Sequence, residues 1–78
     1  MRKKENYIII TFVSTTSAMA AEEYLRTRSV PGRMIPLPGS IAAGCGLAWR
    51  IALREYDDTA RNMIQKLEGV EEIHTLTM

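Results

Sequence analysis

Seven consecutive residues, Tyr7-Ile8-Ile9-Ile10-Thr11-Phe12-Val13, constrain the fold of this 78-residue chain more than any other stretch. They are β-branched or aromatic throughout, which favours an extended backbone. No polar face alternates through them, so the strand they predict needs cover on both sides and a central place in a sheet. A short chain has little surface to spare for that purpose. Domains of this size bury only about 60% of the surface their unfolded chains expose, and they usually rely on a staple or a partner. The single cysteine, Cys45, cannot form an internal disulfide, and with only His74 and carboxylates beside it no closed metal site is available. A second copy of the chain is the remaining support, so a homodimer is an expectation.

The rest of the chain supplies elements to pack against that strand. Ser14, Thr15, Thr16 and Ser17 can cap a helix. Ala18, Ala21 and Leu25 then recur on one helical face, with Glu22, Glu23 and Arg26 outside it. Pro31-Gly32 stops the helix after about Arg28. Arg33 to Leu37 predicts a short strand, at an edge or frayed where Pro36 and Pro38 lack a donor. Leu47 to Arg54 alternates, with Leu47, Trp49, Ile51 and Leu53 on one side and Ala48, Arg50, Ala52 and Arg54 on the other, which predicts a half-buried antiparallel strand. Asp57, Asp58 and Thr59 open a second helix whose apolar face is Ala60, Met63, Ile64 and Leu67, with Gly69 placed for a left-handed cap. Val70 to Met78 closes as a last strand. The order β-α-β-β-α-β predicts an α+β, ferredoxin-like fold, a single domain over residues 1–78 with two helices on one face of an antiparallel sheet. Any exposure of Tyr7 or Ile9 on the other face would give a homodimer a patch to bury.

Charge narrows the function classes. The net charge is +1 with both signs dispersed, so the basic field that nucleic-acid binding requires is missing. No apolar run approaches the roughly 20 residues of a membrane span. Arg2, Lys3 and Lys4 ahead of the apolar run, with Ala18-Met19-Ala20 beyond it, have the order of a secretory signal. Thr11 interrupts that run, and the same residues are needed as the first strand. A lone thiol suits a reducing cytoplasm better than a secreted framework.

Cys45 is the candidate reactive residue. It stands in Gly44-Cys45-Gly46, downstream of Pro36-Leu37-Pro38, where side chains have been removed around the sulfur. Glycines allow unusual backbone conformations and leave room, and free N–H groups in such a turn can form a nest for a thiolate or persulfide. A tight turn holding a small, inert apolar cysteine explains the same residues. His74 is distant in sequence and reads as an ordinary surface histidine, so no Cys–His dyad is assigned. Glu22-Glu23 and Asp57-Asp58 read as caps and solvated faces, since adjacent helical residues diverge. Arg50 and Arg54 can attract an anion near the sheet, although a solvated surface accounts for them. No cofactor fingerprint is present.

The capped helix with Ala18-x-x-Ala21-Glu22-x-x-Leu25, followed by Ile35-Pro36-x-Pro38-x-x-Ile41-x-x-x-Cys45-Gly46-Leu47, resembles the small bacterial selenium/sulfur carrier-like proteins, the DUF3343 family. The resemblance covers nearly the whole chain. It implies that Cys45 accepts sulfur or selenium, that Gly44 and Gly46 shape its pocket, and that Pro36 and Pro38 fix the approach. The implied partners are a protein donor and a protein acceptor, with no cofactor and no metal. Beside the carrier stand a binding or regulatory module with a structural cysteine and a redox sensor that forms an intermolecular disulfide. An autonomous enzyme is disfavoured, because no base accompanies the thiol.

Overall fold

The computed structural model describes residues 4–41 and 45–78. Strand β1 (Asn6–Phe12) leads into helix α1 (Thr15–Thr27), strand β2 (Arg33–Pro36), strand β3 (Leu47–Ala52), helix α2 (Asp58–Gln65) and strand β4 (Val70–Thr77). The four strands form one antiparallel sheet in the order β2-β3-β1-β4, with β1 central as its composition requires. Both helices pack on one face, which gives the ferredoxin-like arrangement.

Alternation along β1 divides the core. Ile8, Ile10 and Phe12 turn toward the helices and meet Ala18, Ala21, Leu25, Trp49, Ile51, Ala60 and Ile64. Ile9 turns to the outer face, where Ile35, Ala48 and Ile41 bury it completely, with Tyr7, Leu37 and Leu76 around them. The outer face is therefore not the open surface that the alternation of β3 predicts. Ala48 and Ala52 are as buried as their neighbours, and Ile9 has no need of a second copy of the chain to cover it. The reason is that the connection between β2 and β3 folds back and lays Leu37 and Ile41 on the sheet.

The ends of α1 follow from their residues. Ser14 caps its start by accepting from the Ser17 N–H at 3.1 Å. At its end the N–H groups of Ser29 and Val30 return to the carbonyls of Arg26 and Leu25, a Schellman closure with Ser29 at φ 55°. Gly32 then permits a close approach. A Cβ there would lie 2.4 Å from the Arg50 carbonyl oxygen and 2.5 Å from Trp49 Nε1. That approach lets the indole donate to the Pro31 carbonyl at 3.2 Å while Trp49 stays buried.

Two boundaries differ from the sequence expectation. β3 stops at Ala52, and Leu53–Glu55 form a 3-10 turn, so Arg54 is off the strand and pairs with Glu5. The turn redirects the chain toward Asp57, whose carboxylate caps α2 by accepting from the Ala60 N–H at 2.8 Å. α2 ends at Gln65 with Lys66 as its cap, and Leu67 packs on the core from beyond the helix. Gly69, at φ 79°, is therefore the turn into β4 rather than the helix cap, and a Cβ on it would strike the Ser17 side chain.

Thr11 is the buried polar residue of β1. Between Ile10↔Ile73 and Phe12↔Val70 the register slips, so Glu71 and Glu72 of β4 stand opposite Thr11. The Thr11 hydroxyl repairs the ladder by accepting from the Glu72 N–H at 3.0 Å and donating to the Glu72 carbonyl at 3.3 Å.

Thr11→Val keeps the shape and removes both bonds. It is expected to destabilise the fold by about 1–3 kcal/mol, measured by denaturant unfolding. Ser29→Gly relieves a left-handed serine and is expected to stabilise by about 0.5–1 kcal/mol, a rise in Tm of a few degrees.

Candidate functional site

Cys45 stands two residues before β3, on the same side of the sheet as Leu47 and Trp49. It belongs to the helix-side core and is 6% exposed. The flanking glycines do not leave the sulfur open to solvent. The Leu47 N–H donates to Sγ at 3.3 Å, and the thiol can donate to the Leu47 carbonyl at 3.5 Å. Among the described residues, the nest expected around the sulfur consists of that single N–H. Gly44 lies outside the described residues.

Neither a left-handed backbone nor a close approach requires glycine at position 46. The glycines with positive φ are Gly32 and Gly69 among the described residues, and a Cβ on Gly46 would meet nothing within 4 Å. Its carbonyl accepts from the Leu37 N–H at 2.9 Å, which extends the β2–β3 pairing one step past Pro36↔Leu47. That bond sets the Pro36-Leu37-Pro38 segment beside Cys45-Gly46. Pro36 ends β2 on the exposed sheet edge, where its missing N–H costs nothing. The Pro38 carbonyl accepts from the Ile41 N–H at 3.0 Å and starts the turn that delivers Ile41 to the outer face. Four of the five residues singled out in sequence thus converge at one end of the sheet. Thr11↔Ala48 pairing and the passage from Phe12 to Thr15 put the start of α1 at that same end.

Other candidates stay apart from this place. His74 is paired with Ile9 and so lies on the outer face, opposite Cys45, with Nε2 2.9 Å from Glu72 Oε1. Glu23 pairs with Arg26 at 2.6 Å, Asp58 with Arg61 at 3.0 Å, and Asp57 is the α2 cap. Sequence reasoning missed one basic residue. Arg33 is the cross-strand partner of Arg50, and a register counted back from Pro36↔Leu47 would have found it. No helix among the described residues is long and apolar enough to cross a membrane.

The sequence profile of a family described as "Putative Se/S carrier protein-like" matches residues 7–75, from the first strand into the last. No curated protein and no solved structure matches the chain.

The burial of Cys45 has a direct chemical readout. A thiol reagent such as DTNB is expected to react about tenfold or more slowly with the native protein than with the protein in denaturant, since reaction requires local opening. Equal rates would show the sulfur to be open in solution. Gly46→Ala is expected to change stability by no more than about 0.5 kcal/mol, as its Cβ enters open space.

Proposed function

The chain belongs to the Se/S carrier protein-like family, and on that premise we propose that it carries sulfur or selenium on Cys45, between a donor protein and an acceptor protein. The observation that carries this reading is the family match over residues 7–75, a span that contains the chain's one cysteine. The contact between Leu37 and Gly46 supports it, because it ties the Pro-x-Pro and Cys-Gly parts of the motif into one local structure.

The chemistry needs no cofactor. The Cys45 thiolate attacks the terminal sulfur of a donor persulfide, R–S–SH. A sulfur–sulfur bond forms at Cys45 as the donor's sulfur–sulfur bond breaks. The donor leaves as the thiolate R–S⁻, and the proton stays on the transferred sulfur, so nothing is oxidised or reduced overall. A donor that carries selenium in the terminal position reacts in the same way. Attack by an acceptor thiolate on the terminal atom of loaded Cys45 reverses the sequence on a new partner. The Leu47 N–H is the hydrogen-bond donor within reach of the sulfur. The open space beside Gly46 leaves room for the additional atom, and Pro36 and Pro38 hold the return that lines the approach. A reducing cytoplasm keeps such a thiol free. Burial shields the loaded sulfur from stray thiols and requires the donor to open the segment when it docks.

One observation favours a second reading. Cys45 is buried in the core and hydrogen-bonded in both directions to Leu47. These are the properties of a structural cysteine in a binding module.

Incubation with a cysteine desulfurase and free cysteine separates the two. The carrier reading expects a mass increase of one sulfur atom that dithiothreitol reverses and that Cys45→Ser abolishes. An unchanged mass, with the desulfurase shown to turn over, leaves Cys45 a structural residue.

A further inference from the structure

The outer face of the sheet carries a second feature, remote from Cys45. Where the return through Ile41 stops covering it, toward the start of β1 and the end of β3, a groove of about 340 Å³ opens between Tyr7, Gly32, Arg33, Arg50, Ala52, Arg54 and Glu55. Arg33 and Arg50 are direct cross-strand partners on this face. Like charges placed directly opposite on a sheet repel each other and weaken the pairing.

The carboxylates nearby do not relieve this pair. Glu5 forms its ion pair with Arg54. Glu55 is also close enough to favour the charged form of Arg54. Arg33 and Arg50 have no ion-pair partner among the described residues. Arg50 is instead held in place by stacking, its guanidinium 4.5 Å from the centre of the Tyr7 ring. With Arg54 answered by Glu5, and Glu55 also lining the groove, Arg33 and Arg50 are the cations there without an ion-pair partner among the described residues.

We propose that this groove binds a phosphoryl dianion, bridged by Arg33 and Arg50 and closed on one side by Arg54. Both guanidinium-bearing side chains line the one groove, Arg50 already oriented by Tyr7, and arginine offers paired N–H donors that suit a phosphoryl group. An oxyanion between Arg33 and Arg50 supplies the counter-charge that neither has among the described residues and removes the repulsion between β2 and β3. The volume exceeds that of a phosphate ion, which leaves space for a substituent on the phosphoryl group. The site uses no atom of Cys45 and stands whether or not the cysteine carries sulfur.

Calorimetric titration with inorganic phosphate, at fixed ionic strength set by sodium chloride, tests the site on the whole protein. Saturable binding is expected, weakened about tenfold or more in Arg33→Gln and in Arg50→Gln, and unchanged in Cys45→Ser. A small phosphomonoester in a parallel titration shows whether the substituent is accommodated. It competes with phosphate if the groove takes a phosphorylated metabolite, and fails to compete if the free ion alone fits. Thermal unfolding supplies an independent readout, because phosphate also stabilises proteins generally. The wild type should gain more than either arginine variant, and without phosphate Arg33→Gln should be at least as stable as the wild type. Absence of saturable binding to the wild type, or equal binding and equal thermal gain in both arginine variants, would overturn the proposal.

Discussion

Ile8, Ile10 and Phe12 face the helices while Ile9 and Thr11 face away, and all five are buried. A strand of this kind cannot sit in a two-layer domain with one face wet, because apolar burial supplies most of what opposes the chain's conformational entropy. The helices cover one face, as the order of elements requires. For the other, the chain has no third layer of secondary structure and uses the return between β2 and β3. Ile41 and Leu37 fold over Ile9, Ile35 and Ala48, and the turn from Pro38 to Ile41 brings them there. Two-sided burial of β1 thus dictates both the sheet order and the fold-back that lays Leu37 and Ile41 on the outer face.

The cysteine consequently belongs to the core. Ile41 is anchored on the outer face and Cys45 on the helix side of the sheet. The Leu37–Gly46 bond pins the two limbs together close to Cys45. A reaction at the sulfur must work against these anchors, and local opening of a few apolar contacts costs less than global unfolding. Under the carrier proposal, a docked donor protein would have to meet that cost. On that proposal, the same burial would give the protein selectivity for its donor.

Much of this was legible in the residues. The two-sided strand, the Ser14 and Asp57 caps, the helical faces through Ala18, Ala21, Leu25, Ala60 and Ile64, and the core position of Trp49 all follow from periodicity and capping chemistry. What was not legible depends on contacts distant in sequence. Alternation in β3 reports one apolar and one polar side, yet Ala48 is small enough to be covered by Ile41, and nothing local says that Ile41 will reach it. The burial of Cys45 is of the same kind. Flanking glycines suggested access, whereas parity along the segment leading into Leu47 and Trp49 places the sulfur inward. Gly69 has the left-handed backbone expected of it but serves the turn into β4, since α2 closes earlier at Lys66.

The outer face is divided by the reach of one loop. Near the start of β3 it is apolar and closed by Ile41. Near the end of β3 it is cationic and open, because the return does not extend over Arg50 and Arg33. The sheet accepts an opposed pair of arginines there, although either position could carry a neutral residue without loss of packing against the core, since both side chains lie outside it. Exposed charges are screened within about 8–10 Å at physiological salt, so the penalty is modest and the fold survives it. The stacking of Arg50 on Tyr7 draws its guanidinium toward β1 and fixes its orientation on this face. A surface arranged only for solubility gains nothing from such an arrangement, and an anion gains from it two uncompensated cations, one of them already oriented by Tyr7.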